Sequence, residues 1–173
     1  YTSVSNLKDY YQKGVKSVAP DAYMILEHWG DRMDSERPQL ISNGMMCWNN
    51  TTAAYGEAAM GWVRQTDNNN SFESANQDGY ISYCESHDEE RMQYKCTQYG
   101  NGDIKTKESV RLGRVAPCVA FNVLLNGSHM LWQVEEIGYD FSMNCDLQNP
   151  NAYDEGKRCN EKPRPESRGY FNN

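Results

Sequence analysis

Four short apolar runs constrain this chain more than any other feature of its sequence. AYMIL (Ala22 to Leu26), GMMCW (Gly44 to Trp48), GYISYC (Gly79 to Cys84) and SHMLWQ (Ser128 to Gln133) are each too short for a helix. They are also too continuous for a strand with one wet face, which would alternate, so they predict strands covered on both faces. Helical signals lie between them. LKDYYQKGVKSVA places Leu7, Tyr10, Tyr11, Val15 and Val18 at helical spacing, with Asn6 or Ser5 as its cap and Pro20 marking its end. NNTTAAYGEAAMGWV reads as a helix start followed by an alanine-rich helix, and RQTDNNNSFESANQDG after it reads as loop. DEERMQYKCTQYG predicts a helix with acids in its first turn, and TKESVRLGRVAPCVAFNVLLNG a longer one, broken or kinked at Pro117. The order is helix, strand, helix, strand, helix, strand, two helices, strand, which is a parallel α/β arrangement. From Gly138 onwards the chain has no convincing period and reads as mostly irregular.

At 173 residues the chain is long enough for one domain with a real core and leaves little room for two. Its 24 acidic against 17 basic residues argue against a polyanionic partner, so no nucleic acid is expected. No window reaches the roughly 18 apolar residues of a membrane span, and the first residues lack the pattern of a signal peptide. The six cysteines are widely spaced, without a C-x-x-C pair, and read as buried thiols. The three histidines, His28, His87 and His129, show no ligand spacing, so no metal site is expected within the segment.

In parallel α/β folds ligands bind at the carboxyl ends of the strands. Three of the four predicted strands end in carboxylates: Glu27, then Glu85 and Asp88, then Glu135 and Glu136. Two carboxylates on different strand ends, Glu27 and Asp88, are the raw material for glycoside hydrolysis. An aspartate ahead of Glu-Glu-Arg is equally a good helix start, so Asp88 also reads as a cap. Glu27, between an apolar strand and His28-Trp29, is neither a favoured cap nor an obvious surface residue.

These segments resemble a known family. AYMILEHWGD is similar to the region around the general acid of the α-amylase family, glycoside hydrolase family 13, where a strand ends in glutamate followed by tryptophan. ISYCESHDEER resembles that family's His-Asp signature at the seventh barrel strand, and SHMLWQVEEIGYD its eighth-strand segment. GMMCWNN, ESHDEER and WQVEEIGYD look closest to bacterial α-amylases of the Bacteroidetes kind. The motifs stand in the family's order and span Tyr23 to Asp140.

The resemblance implies an α/β fold: the C-terminal half, strands five to eight, of a (β/α)8 TIM barrel, with residues 1–173 a partial catalytic domain truncated at both ends. It implies a retaining hydrolase of α-1,4-glucosidic bonds in starch or related glucans. Glu27 would be the general acid/base, Asp88 the carboxylate that stabilises the transition state, and His87 the residue that hydrogen-bonds the sugar in the reacting subsite. Trp29 would stack on a sugar ring and raise the pKa of Glu27 by desolvating it, and Glu136 and Tyr139 would lie on the same rim. Arg91 is expected to pair with a neighbouring acid and hold the loop.

Nothing before Glu27 matches the family's nucleophile, an aspartate in an Arg-x-Asp setting on the fourth strand. The isolated segment is therefore expected to be inactive and to bind the missing barrel half or to self-associate. No cofactor is expected within the segment, although the family implies a possible calcium ion in the full-length protein. The expected partner is an α-glucan, and the resemblance implies an extracytoplasmic location, whereas unpatterned cysteines fit a reducing compartment better. A different reading of the same residues is a non-catalytic half-barrel for carbohydrate binding or assembly, with Trp29, Trp48, Trp132 and the tyrosines as its stacking surface.

Overall fold

The four apolar runs pair as one parallel sheet in the computed structural model, which describes residues 3–62, 77–140 and 142. The strands are β1 (Ile25–Leu26), β2 (Met46–Asn50), β3 (Tyr80–Tyr83) and β4 (Ser128–Met130), in the spatial order β1-β2-β3-β4. Register runs Leu26 to Cys47, Cys47 to Tyr80 and Ser82 to His129. Each strand therefore lies beside its successor in sequence. With right-handed crossovers, that order puts every connecting helix on the same side of the sheet.

The first helical segment comprises α1 (Val4–Asp9), a π-helical stretch at Tyr10–Val15 and α2 (Lys16–Val18). Its cap is Ser3, not Asn6 or Ser5: Ser3 Oγ accepts the Asn6 amide at 3.2 Å. Helix α3 (Met33–Ser42) joins β1 to β2, and α4 (Thr52–Met60) follows β2. Helix α4 ends as its composition demands, with Gly61 at φ +77° and paired bonds from Gly61 to Ala58 and from Trp62 to Glu57, a Schellman motif. Helices α5 (Met92–Tyr99), α6 (Asp103–Thr106) and α7 (Glu108–Leu124) separate β3 from β4. Helix α7 runs through Pro117 as one element rather than breaking there. A 3-10 turn at Glu135–Ile137 follows β4, just ahead of the segment expected to be irregular. Cys145, Cys159 and the rest of 143–173 lie outside the described residues.

Alternation along the strands divides the sheet into two faces. Met24, Leu26, Cys47 and Tyr80 turn toward the helices, where they pack with buried Tyr11, Leu40 and Met45. Further along, Tyr55, Cys84, Met92, Cys96, Val115, Cys118 and Val119 form a second cluster among α4, α5 and α7. Each such apolar side chain contributes about 1.5–3 kcal/mol when fully buried, which is ample to fix the helices on this face.

The expectation of burial on both faces is met fully on one face and only in part on the other, where Ile81 is buried. Ile25, Trp48, Ile81 and Met130 line the other face of the sheet, an open concavity of about 650 Å³. Ile25 is half exposed and Leu131 nearly so, because no described element covers them.

Candidate active site

Glu27, just past the end of β1, lines this concavity, and the loop after β3 brings two side chains beside it. Ser86 Oγ accepts the Asp88 amide at 3.1 Å, closing a tight turn around His87. The Glu89 carboxylate accepts from both Asn50 Nδ2, at the end of β2, and Ser86 Oγ. Asn50 Oδ1 in turn accepts the Thr52 amide at 3.0 Å and its hydroxyl at 2.7 Å. The loop is thus fastened to the start of α4.

Behind it, Glu85 is 1 % exposed and takes the role that an acid before α5 was expected to play. Its Oε1 accepts the Met92 amide at 2.7 Å, the first of α5, while Oε2 meets Arg91 Nη1 at 3.0 Å. Arg91, buried as well, donates to Gln133 Oε1 at 3.0 Å and lies 5.2 Å from the centre of the Tyr139 ring. The expected pairing of Arg91 with a neighbouring acid is therefore observed. Burial raises the Glu85 pKa, opposed by Arg91 and the Met92 amide. Glu85 serves the helix, and the Asp88 carboxylate lies beside His87 and Glu27.

Glu27, His87 and Asp88 converge. One donor atom from each lies within 4.8 Å of the other two, although Glu27 is sixty residues from His87 in the chain. His87 Nε2 is 3.4 Å from Asp88 Oδ2. Glu27 itself is exposed, and it lines the concavity beside Trp48 and Leu131. The three donors, two carboxylates and an imidazole, are also within reach of a single cation.

Aromatic rings frame His87. Its imidazole lies 5.4 Å from the Trp48 ring at 66° and 6.1 Å from the Trp132 ring at 55°, and Trp48 meets Tyr83 edge-on at 5.4 Å. Tyr83 is fixed by Thr51, whose Oγ1 donates to the Tyr83 carbonyl at 2.7 Å and accepts its amide at 3.2 Å.

Trp29 is placed differently from its expected role. The Arg37 guanidinium sits 4.3 Å from its ring centre, Arg37 Nε donates to the His28 carbonyl, and the His28 ring meets Glu36 at 2.8 Å. His28 and Trp29 are thus tied to α3, and Trp29 neither lines the concavity nor buries Glu27. Glu136 is exposed on the 3-10 turn and likewise absent from the lining, whereas its neighbour Glu135 is 1 % exposed. Sequence reasoning about the site passed over Asn50, Ser86 and Glu89. An Asn-x-Thr after a strand and a Ser-x-Asp turn were the available signals.

No protein-family model and no curated protein matches the chain.

Proposed function

We propose that the chain forms the acid/base half of an α-amylase-like retaining glycosidase, acting on α-1,4-linked glucans as part of an eight-stranded barrel. One observation carries this: Glu27 from one motif and His87 and Asp88 from another meet within 4.8 Å, after the carboxyl ends of β1 and β3. The resemblance supplies their roles. Glu27 protonates the leaving oxygen, Asp88 steadies the oxocarbenium-like transition state, and His87 holds a hydroxyl of the reacting sugar.

The consecutive strand order and the uncovered concave face suit half of a closed barrel. The outer edges of β1 and β4 have no partner strand among the described residues, and barrels remove such edges by closure. The other half would supply the nucleophile, cover Ile25 and Leu131, and desolvate Glu27. The Trp48–His87–Trp132 cluster suits a sugar ring, whose apolar face stacks on indole. An extracytoplasmic location follows from the same family resemblance.

The stereochemistry of the first product tests the assignment. Malto-oligosaccharide cleavage by the full-length protein, followed by proton NMR, should release the α-anomer first. Initial release of the β-anomer, or no cleavage, would count against it.

A further inference from the structure

The segment after β4 is held in a conformation that its residues do not favour. Gln133 and Val134 have φ of +36° and +60°, a region a β-branched residue enters only when its surroundings impose it. Gly138 closes the segment at φ +80°, and a Cβ there would strike Leu112 of α7 and lie 3.4 Å from Gln93 Nε2 of α5. Gln133 is held by Arg91 at 3.0 Å. The segment is thus wedged between two helices and fastened at both ends.

At its centre Glu135 is 1 % exposed, and neither carboxylate oxygen has a hydrogen-bond partner of good geometry among the described residues. The nearby Trp132 amide compensates only in part. The charged groups that face Glu135 are Glu85 from the end of β3, Glu136 from its own turn and Arg91 from the start of α5. Tyr55 of α4 and Cys84 are also close enough to feel its charge. The one cation among these, Arg91, is already engaged by Glu85. A carboxylate here would be buried, without its own counter-ion and next to a second acid, a combination proteins avoid by protonation.

We infer that Glu135 is a positioning residue: as a neutral acid it plugs the strained turn between α5 and α7 and so seats Trp132 against His87. Burial, then the charge of Glu85, push its carboxyl up to about 9, in keeping with the neutral form at pH 7. Ionisation expels the turn and takes Trp132 away from His87, opening the wall to which Met130 and Leu131 contribute. Its bearing on catalysis rests on the glycosidase assignment, whereas its test does not.

The test compares the full chain with Glu135→Gln, which keeps the shape and removes the titration. Hydrogen-exchange protection factors for residues 132–138 are measured from neutral pH to above 9, beside Trp132 fluorescence assigned by difference with Trp132→Phe. Wild-type protection should fall about tenfold per pH unit up to about 9 and then level, the limit for release coupled to one proton. Glu135→Gln should fold, keep the Trp132 signal at neutral pH and show no such slope. A Glu135→Gln chain that loses the Trp132 signal at neutral pH, or keeps the wild-type slope, overturns the role given to Glu135. A chain with this slope that cleaves no glucan would leave the role standing and remove the glycosidase assignment.

Discussion

Arg91 and Glu85 form a buried ion pair, Nη1 to Oε2 at 3.0 Å, that spans the loop carrying His87 and Asp88. Both side chains are almost fully buried, so neither charge can be satisfied by water if the other is removed. Arg91→Met should therefore destabilise the protein by about 3–5 kcal/mol, the usual cost of an orphaned buried charge. Adding Glu85→Gln should recover much of that loss in urea denaturation, since the double variant leaves no buried charge behind.

Thr51 joins the end of β2 to β3 through both polar groups of the Tyr83 backbone. Thr51→Val keeps the volume and strands a buried amide and carbonyl. Chemical denaturation should show a loss of about 1–3 kcal/mol.

The aromatic residues divide by position. Trp29, stacked on Arg37, should act on stability: Trp29→Leu removes a cation–π contact worth about 0.5–1 kcal/mol and leaves glucan affinity unchanged. Trp48, against His87 and in the concavity, should act on binding. Trp48→Leu should weaken malto-oligosaccharide binding about tenfold, or about 1.4 kcal/mol, by calorimetry.

Stability should depend on pH through Glu135. Its pKa is raised from 4.5 to about 9 in the folded state, so the native form holds the proton where the unfolded chain has lost it. The contribution is complete below pH 4.5 and diminishes as pH rises to about 9, by up to about 1.4 kcal/mol per unit. Denaturation midpoints across that window should fall for wild type and fall less steeply for Glu135→Gln.

Cys47, Cys84, Cys96 and Cys118 are free and buried, and burial pushes their thiols up, that of Cys47 and of Cys96 to about 11. A thiol reagent at pH 8 should leave these four unmodified in the native chain and reach them after unfolding.

The strands were legible because short apolar runs between helical periods have few other solutions: AYMIL, GYISYC and SHMLWQ each contain one, and GMMCW begins one that runs on to Asn50. Their ends were less so: β1 is only Ile25–Leu26, because pairing with Met46 and Cys47 sets its length, not apolarity. Burial on both faces was inferred from the same continuity, but apolar residues facing an open concavity leave the same signature as buried ones. Asp88 read as a helix cap because local sequence could not show that Glu85, three residues earlier, would fold back to take the Met92 amide. Trp29 was read beside Glu27, its neighbour in sequence, whereas tertiary contact with Arg37 decides its place. Glu135 and Glu136 are adjacent and chemically alike, and only the left-handed turn at Val134 determines which is buried.

Starch hydrolysis by the full-length protein, wild type beside Glu27→Gln and Asp88→Asn, tests the central claim most directly. Each substitution keeps the shape of its side chain and removes its ability to act as acid or anion. Activity should fall roughly 10²- to 10⁴-fold for Glu27→Gln, the range expected for loss of a general acid, with the fold retained by circular dichroism. Wild-type activity that survives both substitutions would show that the convergence of Glu27, His87 and Asp88 is not a catalytic site.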